Sequence, residues 1–374
     1  MPMRRTAGFL PLTFILFGLH WGAWLASLPD LAAHYELSSG PLGAMITAGF
    51  TVALPVMLAS GRLLDRMGAA WGIGAPALLM ASGLALVATL PPIPLLVLGV
   101  ILITAGSGAY DVGINGVAMG DAGWSRPARL TLLHASFSAG GVAGALAAGS
   151  LIGSGVGFTV VYVVLIGALL LAAAVASRGH WAVAASMGAV PRGVALAVLP
   201  LAVLAAIGFM ASGSLETWSA IYLREELGTG AFVGALGPAA FHAAMLAGRL
   251  VGAAVAGWLG PRDTLGVGGL ATAAGMTVAL LVTVPGLAIP GMALAALGGS
   301  FVLPVILSLA ARRAGAFAGR AASYVFSLGY TGFLVAPSVV GFLSEAAGLR
   351  AGLLVIPIAG AIIALASRSR VARP

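Results

Sequence analysis

Runs of apolar and small residues recur along the whole chain, separated by short segments that carry arginine, proline or glycine. Each run is about 20 residues long, the length a helix needs to cross a hydrocarbon core roughly 30 Å thick. Twelve such runs stand near 8–28, 41–60, 72–90, 94–118, 130–152, 157–177, 194–222, 231–257, 265–284, 287–310, 318–342 and 351–367, leaving only short loops in 374 residues. The pattern predicts an all-α membrane protein of twelve transmembrane helices with no separate soluble domain.

Composition agrees. Hydrophobic residues make up 60% of the chain and charged residues 7%, against roughly 25% charged in a soluble domain, and the mean hydropathy is +1.10. All 18 basic residues are arginine, so the excess of positive charge on inner loops can be counted with one residue type. With both termini inside, fifteen of them fall in cytoplasmic segments: Arg4, Arg5, Arg62, Arg66, Arg126, Arg129, Arg178, Arg192, Arg262, Arg312, Arg313, Arg320, Arg368, Arg370 and Arg373. Arg224 and Arg350 fall outside, Arg249 falls within a span, and the first outer loop carries only Asp30, His34 and Glu36. The net charge of +8 therefore reports topology, and no nucleic-acid partner is expected from arginines scattered over so many segments. The expected partners are the lipid bilayer, a small-molecule substrate and protons, for a monomer. Arg4 and Arg5 precede an apolar run too long for a signal peptide, which reads as an uncleaved first span.

The chain has no cysteine, which removes disulfides, thiolate zinc sites and thiol catalysis. It has no GxxxxGK[ST] loop, no HExxH and no arginine row at three-residue spacing, so ATP-driven transport, a metal site and a voltage sensor are unsupported and no cofactor is expected. The many glycines, as at Gly140/Gly144 and Gly248/Gly252, are consistent with close helix approach.

Six spans precede the polar segment that holds Arg178, His180, Trp181 and Arg192, and six follow. The expected organisation is an N-terminal six-helix half at 1–177, a cytoplasmic linker at 178–192 and a C-terminal six-helix half at 193–374. Gly61-Arg62-Leu63 aligns either with Gly248-Arg249-Leu250 or with Gly257-Trp258-Leu259, at offsets of 187 or 196 residues, a weak sign of the parallel duplication found in transporters whose halves rock about a central site.

The loop Gly61-x-Leu63-x-Asp65-Arg66-x-Gly68 resembles the signature loop of the major facilitator superfamily, with Ala69 and Ala70 where that motif usually has a basic pair. Physically, Gly61 and Gly68 permit a tight turn, and Asp65 is placed to cap a helix and pair with arginine. Asp111-Val112-Gly113-Ile114-Asn115-Gly116, His134-Ala135-Ser136-Phe137, Ala247-Gly248-Arg249-Leu250, Glu216-Thr217-Trp218-Ser219 and Gly329-Tyr330-Thr331-Gly332 are similar to the bacterial group related to fucose permease. The resemblance covers nearly the whole chain. It implies a secondary transporter in the bacterial inner membrane with alternating access, and it implies that the span-four carboxylate, Asp111, is a coupling residue. It supplies no substrate.

Polar residues inside spans carry the candidate chemistry. A carboxylate there is costly unless it is paired or lines a wet cavity. Asp111 and Asn115 share a helical face, and His134 enters span five at a comparable depth, so one reading is an Asp111–His134 pair that holds and releases a proton. The other is structural, with Asp111 held by Arg62 or Arg66. Glu216 is a second candidate proton site. Glu216 with Trp218, and Tyr222 one turn on, offer an acid and rings for a sugar or an organic cation, or else an interfacial aromatic belt. His20, Trp21 and Trp24 in span one, with Asn115, His242, Tyr324 and Tyr330, complete the candidate substrate set. Gly61, Asp65, Arg66, Gly68 and Arg249 form the candidate gating set, Arg249 needing a carboxylate or carbonyls in hydrocarbon.

The favoured function is proton-coupled movement of a small polar solute, such as a sugar or related metabolite. Proton-driven efflux of an amphipathic compound is the alternative. An enzyme or a non-transporting membrane sensor would need a converged nucleophile, a metal set or a signalling domain, none of which the sequence offers.

Overall fold

The computed structural model describes residues 9–120, 127–178, 190–369 and 371, and its regular elements are all helical. The first seven helices are α1 (Phe9–His34), α2 (Ser39–Met67), α3 (Ala69–Ala88), α4 (Ile93–Gly120), α5 (Pro127–Gly153), α6 (Phe158–Ser177) and α7 (Arg192–Ile221), the last running into a π turn at Tyr222–Glu226. The 51-residue stretch Ala231–Leu281 breaks at Gly260, whose φ of 77° and ψ of 163° are not helical. It is therefore two helices, α8 (231–259) and α9 (261–281). α10 (Pro285–Ala314), α11 (Ala318–Ala347) and α12 (Leu349–Ser367) follow. Ten helical stretches are long and apolar enough to cross a membrane, and two of them, Ala231–Leu281 and Pro285–Ala347, each hold two helices. Twelve spans result, in the order expected.

Helices run past the apolar windows because backbone hydrogen bonding continues to the interface, where water can take over the terminal groups. Asp30 and His34 consequently lie on α1 and not in a loop. The turn that follows is short, with Glu36 at φ 52° and the Leu37 amide donating to the Ala32 carbonyl at 2.9 Å. Arg4, Arg5, Arg126, Arg370 and Arg373, and most of the 178–192 linker with His180 and Trp181, lie outside the described residues.

The chain divides into two compact units. The first comprises Met1–Leu37, Ala44–Ser186 and Gly230–Ala235, and the second Ser38–Gly43, Met187–Thr229 and Leu236–Pro374. With no hydrophobic drive between helices in lipid, close backbone approach has to supply the packing. In the first unit α1 lies so near α5 that a Cβ at Gly18 or Gly22 would overlap the Phe137 or Gly141 carbonyl, and Gly140 and Gly144 meet Ile15 and Leu19 in return. α3 and α4 meet at Gly83 and Gly99. In the second unit Gly332 of α11 rests on Ala206 of α7, Gly275 of α9 faces Gly291 of α10, and Gly248 of α8 rests on Ser300 of α10.

Tyrosine hydroxyls tie the helices laterally. Tyr110 donates to the Thr13 carbonyl at 3.2 Å in the first unit, and Tyr222 to the Ala279 carbonyl at 2.9 Å in the second. Arg262, at the start of α9, donates from Nε to the Ser367 carbonyl at 2.9 Å and from Nη2 to the Arg368 carbonyl at 2.8 Å. These are carbonyls that the end of α12 leaves without helical partners, and a cation suits that end of the dipole.

Left-handed backbone recurs in both halves at one spacing. Glu36 and Gly228, Gly68 and Gly260, and Gly155 and Gly348 all have positive φ and stand 192, 192 and 193 residues apart. Within each unit the corresponding helix pairs pack through glycine: α1 on α5 as α7 on α11, and α3 on α4 as α9 on α10. The repeat offset is thus 192, between the two offsets that matching Gly-Arg-Leu letters proposes. Arg249 is not the counterpart of Arg62, and Gly68 of the signature loop corresponds to Gly260.

Candidate functional site

In the signature loop, Asp65 and Arg66 are exposed on the last turn of α2, and Gly68 is the N-cap of α3 with φ 78° and ψ 177°. No side chain caps that helix start. Asp65 belongs to the end of one helix, and the expected cap on the next is not made. Gly61, on the same last turns, is half-buried with nothing within 4 Å of where a Cβ would stand.

Asp111 is half-buried on α4 and accepts a hydrogen bond from Asn115 Nδ2 at 2.9 Å, the i, i+4 contact that their spacing predicts. Asn115 Nδ2 also lies 2.9 Å from the Asp111 carbonyl. His134, half-buried on α5, sets its ring edge-on to Phe14 at 5.6 Å and 84°. Among the described residues, Asp111 forms an ion pair with none of His134, Arg62 and Arg66.

His20 is fully buried, and neither ring nitrogen has a hydrogen-bond partner among the described residues. It shares a stripe of α1 with Phe17, whose ring meets Tyr110 at 5.0 Å, and Trp24, whose ring meets Tyr162 at 5.5 Å. His20 and Trp24 therefore belong to the interior of the first unit. Trp21, half-buried on another face, stacks on Phe50 of α2 at 6.1 Å.

The second unit holds a buried ionisable pair inside its spans. Glu216 of α7 is 9% exposed and His242 of α8 is 1% exposed, and Glu216 Oε1 lies 3.5 Å from His242 Nε2. Half-buried Arg249 stands two turns further along α8. Trp218 does not join them. Residues two apart on a helix point to nearly opposite sides, and Trp218 is fully buried with its Nε1 unpartnered among the described residues. Tyr222 is likewise buried and bonded to the Ala279 carbonyl. Glu216 and the two rings after it do not form one surface for a sugar.

Tyr324 is half-buried against the apolar core of the second unit. Tyr330 stands in an aromatic cluster: it stacks on Phe333 at 5.5 Å and 13° and on Phe326 at 6.1 Å and 15°, and meets Phe209 of α7 edge-on at 5.7 Å. Phe209, Phe326 and Phe333 are missing from the sequence-derived candidates, although Phe326, Tyr330 and Phe333 at i, i+4 and i+7 of α11 already mark a shared helix face. Among the described residues no group of three His, Asp or Glu side chains could hold a metal ion.

Against this geometry the comparisons are consistent with one another. The profile of the Major Facilitator Superfamily matches residues 10–263. The membrane protein MosC of Rhizobium meliloti is 30% identical over 363 residues, covering 95% of this chain and 87% of its own. Among solved structures, the E. coli fucose:proton symporter FucP is similar over 96% of this chain and 97% of its own, with a TM-score of 0.64 and 19% identity. A bacterial homologue of the human lysosomal transporter Spinster reaches a TM-score of 0.81 at 15% identity, over 98% of this chain and 97% of its own.

Proposed function

The chain belongs to the Major Facilitator Superfamily and is a multi-pass membrane transporter of that type, not an enzyme; from that premise we propose that it moves a small polar solute together with protons by alternating access. The observation that carries this reading is the Glu216–His242 contact at 3.5 Å, inside membrane-spanning helices and almost shut off from solvent. A buried carboxylate beside an imidazole is a place where a proton can be held and handed on, and such groups in spans are too costly to persist as packing alone. Asp111, hydrogen-bonded by Asn115 in the first unit, is a second proton site. Residues 1–177 and 193–374 are the two six-helix halves. The protein lies in the inner membrane with both termini cytoplasmic, an orientation supported by the arginines of the even-numbered turns.

A proton can drive a solute in or out. The half-exposed ring cluster around Tyr330 favours, as a second reading, outward movement of amphipathic compounds. Purified protein in vesicles with an imposed pH gradient tests both. Wild-type protein should move protons when a transported solute is added, and its direction under a fixed gradient separates uptake from efflux. Absence of coupled proton movement for every solute tried would overturn the reading.

A further inference from the structure

We infer that the end of the second unit where α12 finishes binds the headgroup of an anionic phospholipid, with Arg262, Arg313 and Arg368 holding its phosphate and with Trp258 and Phe317, on the turns that carry Arg262 and Arg313, meeting its apolar part. Three elements converge there. Arg262 of α9 donates to the Ser367 and Arg368 carbonyls, and Arg313 of α10 donates from Nη2 to the Val371 carbonyl at 2.7 Å. Arg368 itself stands at the end of α12, with Nη1 3.5 Å from Asp263. Residues 367–371 thus draw three guanidiniums together. That segment is fixed in place, since Val371 packs against the apolar core of the second unit and its amide donates to Ser369 Oγ at 3.1 Å.

Backbone carbonyls satisfy N–H groups without cancelling a charge. Three cations face one carboxylate, Asp263, and the end of α12 adds about half a negative charge, so more than one positive charge is left over. The other acids of the second unit are Glu216, Glu225, Glu226 and Glu345, all toward the far ends of α7 and α11. Any further contact that Arg313 makes within its unit therefore leaves that excess in place. The Arg368 and Asp263 side chains are 71% and 52% exposed. Such a pair is held weakly in water, whereas a phosphate offers a guanidinium two parallel hydrogen bonds.

The rings decide which phosphate fits. Trp258 is 86% exposed and stands four residues before Arg262, across the Gly260 turn. Phe317 is 38% exposed on the turn after α10, with the Arg320 guanidinium 5.7 Å from its ring centre. Exposed tryptophan at a helix end marks the boundary between water and lipid. A soluble anion would meet the arginines and leave both rings in water. A phospholipid meets both, with its phosphate on the arginines and its glycerol and upper acyl chain along the rings.

The test is a titration of the purified full-length protein in nonionic detergent with phosphatidylglycerol, phosphatidylcholine and glycerophosphate, read by native mass spectrometry. Phosphatidylglycerol should bind in preference to the other two, and less tightly as salt is raised. Arg313→Gln, which keeps a donor for the Val371 carbonyl, and Arg368→Gln should each weaken it about fivefold. Arg178→Gln, at the end of α6 in the first unit, should leave it unchanged. If Arg313→Gln fails to fold, the exposed Arg368 still decides. Equal binding of phosphatidylcholine overturns the inference, as do equal losses in the Arg178 and Arg368 variants, the mark of diffuse attraction. Glycerophosphate binding as tightly as the lipid would show a soluble-anion site and would overturn it too.

Discussion

Gly68 and Gly260 hold nearly the same backbone conformation, φ 78° with ψ 177° and φ 77° with ψ 163°, at equivalent turns 192 residues apart. Only glycine occupies that region without strain. Nothing lies within 4 Å of a Cβ built at either position, so the constraint is torsional and not steric. Gly68→Ala and Gly260→Ala should each destabilise the protein by roughly 1–3 kcal/mol, read as a lower melting temperature in detergent. Unchanged melting in both would show that the turns relax into another conformation.

A contrast within the first unit separates helix packing from helix propensity. Alanine at Gly22 would drive its methyl into the Gly141 carbonyl of α5, while alanine at Gly167 of α6 meets nothing within 4 Å. Gly22→Ala should cost stability, and Gly167→Ala should be neutral or gain up to about 1 kcal/mol from helix propensity. Equal effects on thermal denaturation would argue against the close α1–α5 seam.

Arg262 closes the end of α12 with two hydrogen bonds to backbone carbonyls. Arg262→Ala should loosen that end by about 1–2 kcal/mol, the discounted worth of charge-assisted bonds at a partly exposed site. Hydrogen exchange of the amides near Ser367 should speed up. Lysine should rescue poorly, because two carbonyls are met by a planar fork and an ammonium is a point.

For orientation, a reporter fused after Pro374 and another inserted near Arg192 should both be active only in the cytoplasm. Activity outside at either position would invert the arginine reading.

Glu216→Gln and Asp111→Asn keep shape and some hydrogen bonding but cannot ionise, so each should reduce gradient-driven accumulation while exchange of solute survives. Measuring both in one vesicle preparation ranks the two carboxylates. Full accumulation in either variant would remove that residue from the coupling machinery.

The spans were legible because an uninterrupted apolar length is a property of the chain itself, and even the Gly260 break falls between two apolar windows. The helix ends were less legible: α1 carries Asp30 and His34 past its apolar stretch because hydrogen bonding, not hydropathy, sets the terminus. Asp111 with Asn115 could be read from spacing on one helix. Glu216 with His242 could not, since their contact depends on the register of two helices. Glu216 and Trp218 are close in sequence, but residues two apart diverge around a helix. The duplication offset was blurred for a related reason: Gly-Arg-Leu recurs by composition, whereas the positive φ angles at Gly68 and Gly260 mark the turn that the two halves share.

The 192-residue correspondence sets four ionisable groups of the spans opposite uncharged residues. Asp111 answers to Leu303, Glu216 to Trp24, His242 to Phe50 and Arg249 to Met57. The turns recur at this spacing and the charges do not. A chimera that repeats either half would therefore double one set of charges and lose the other.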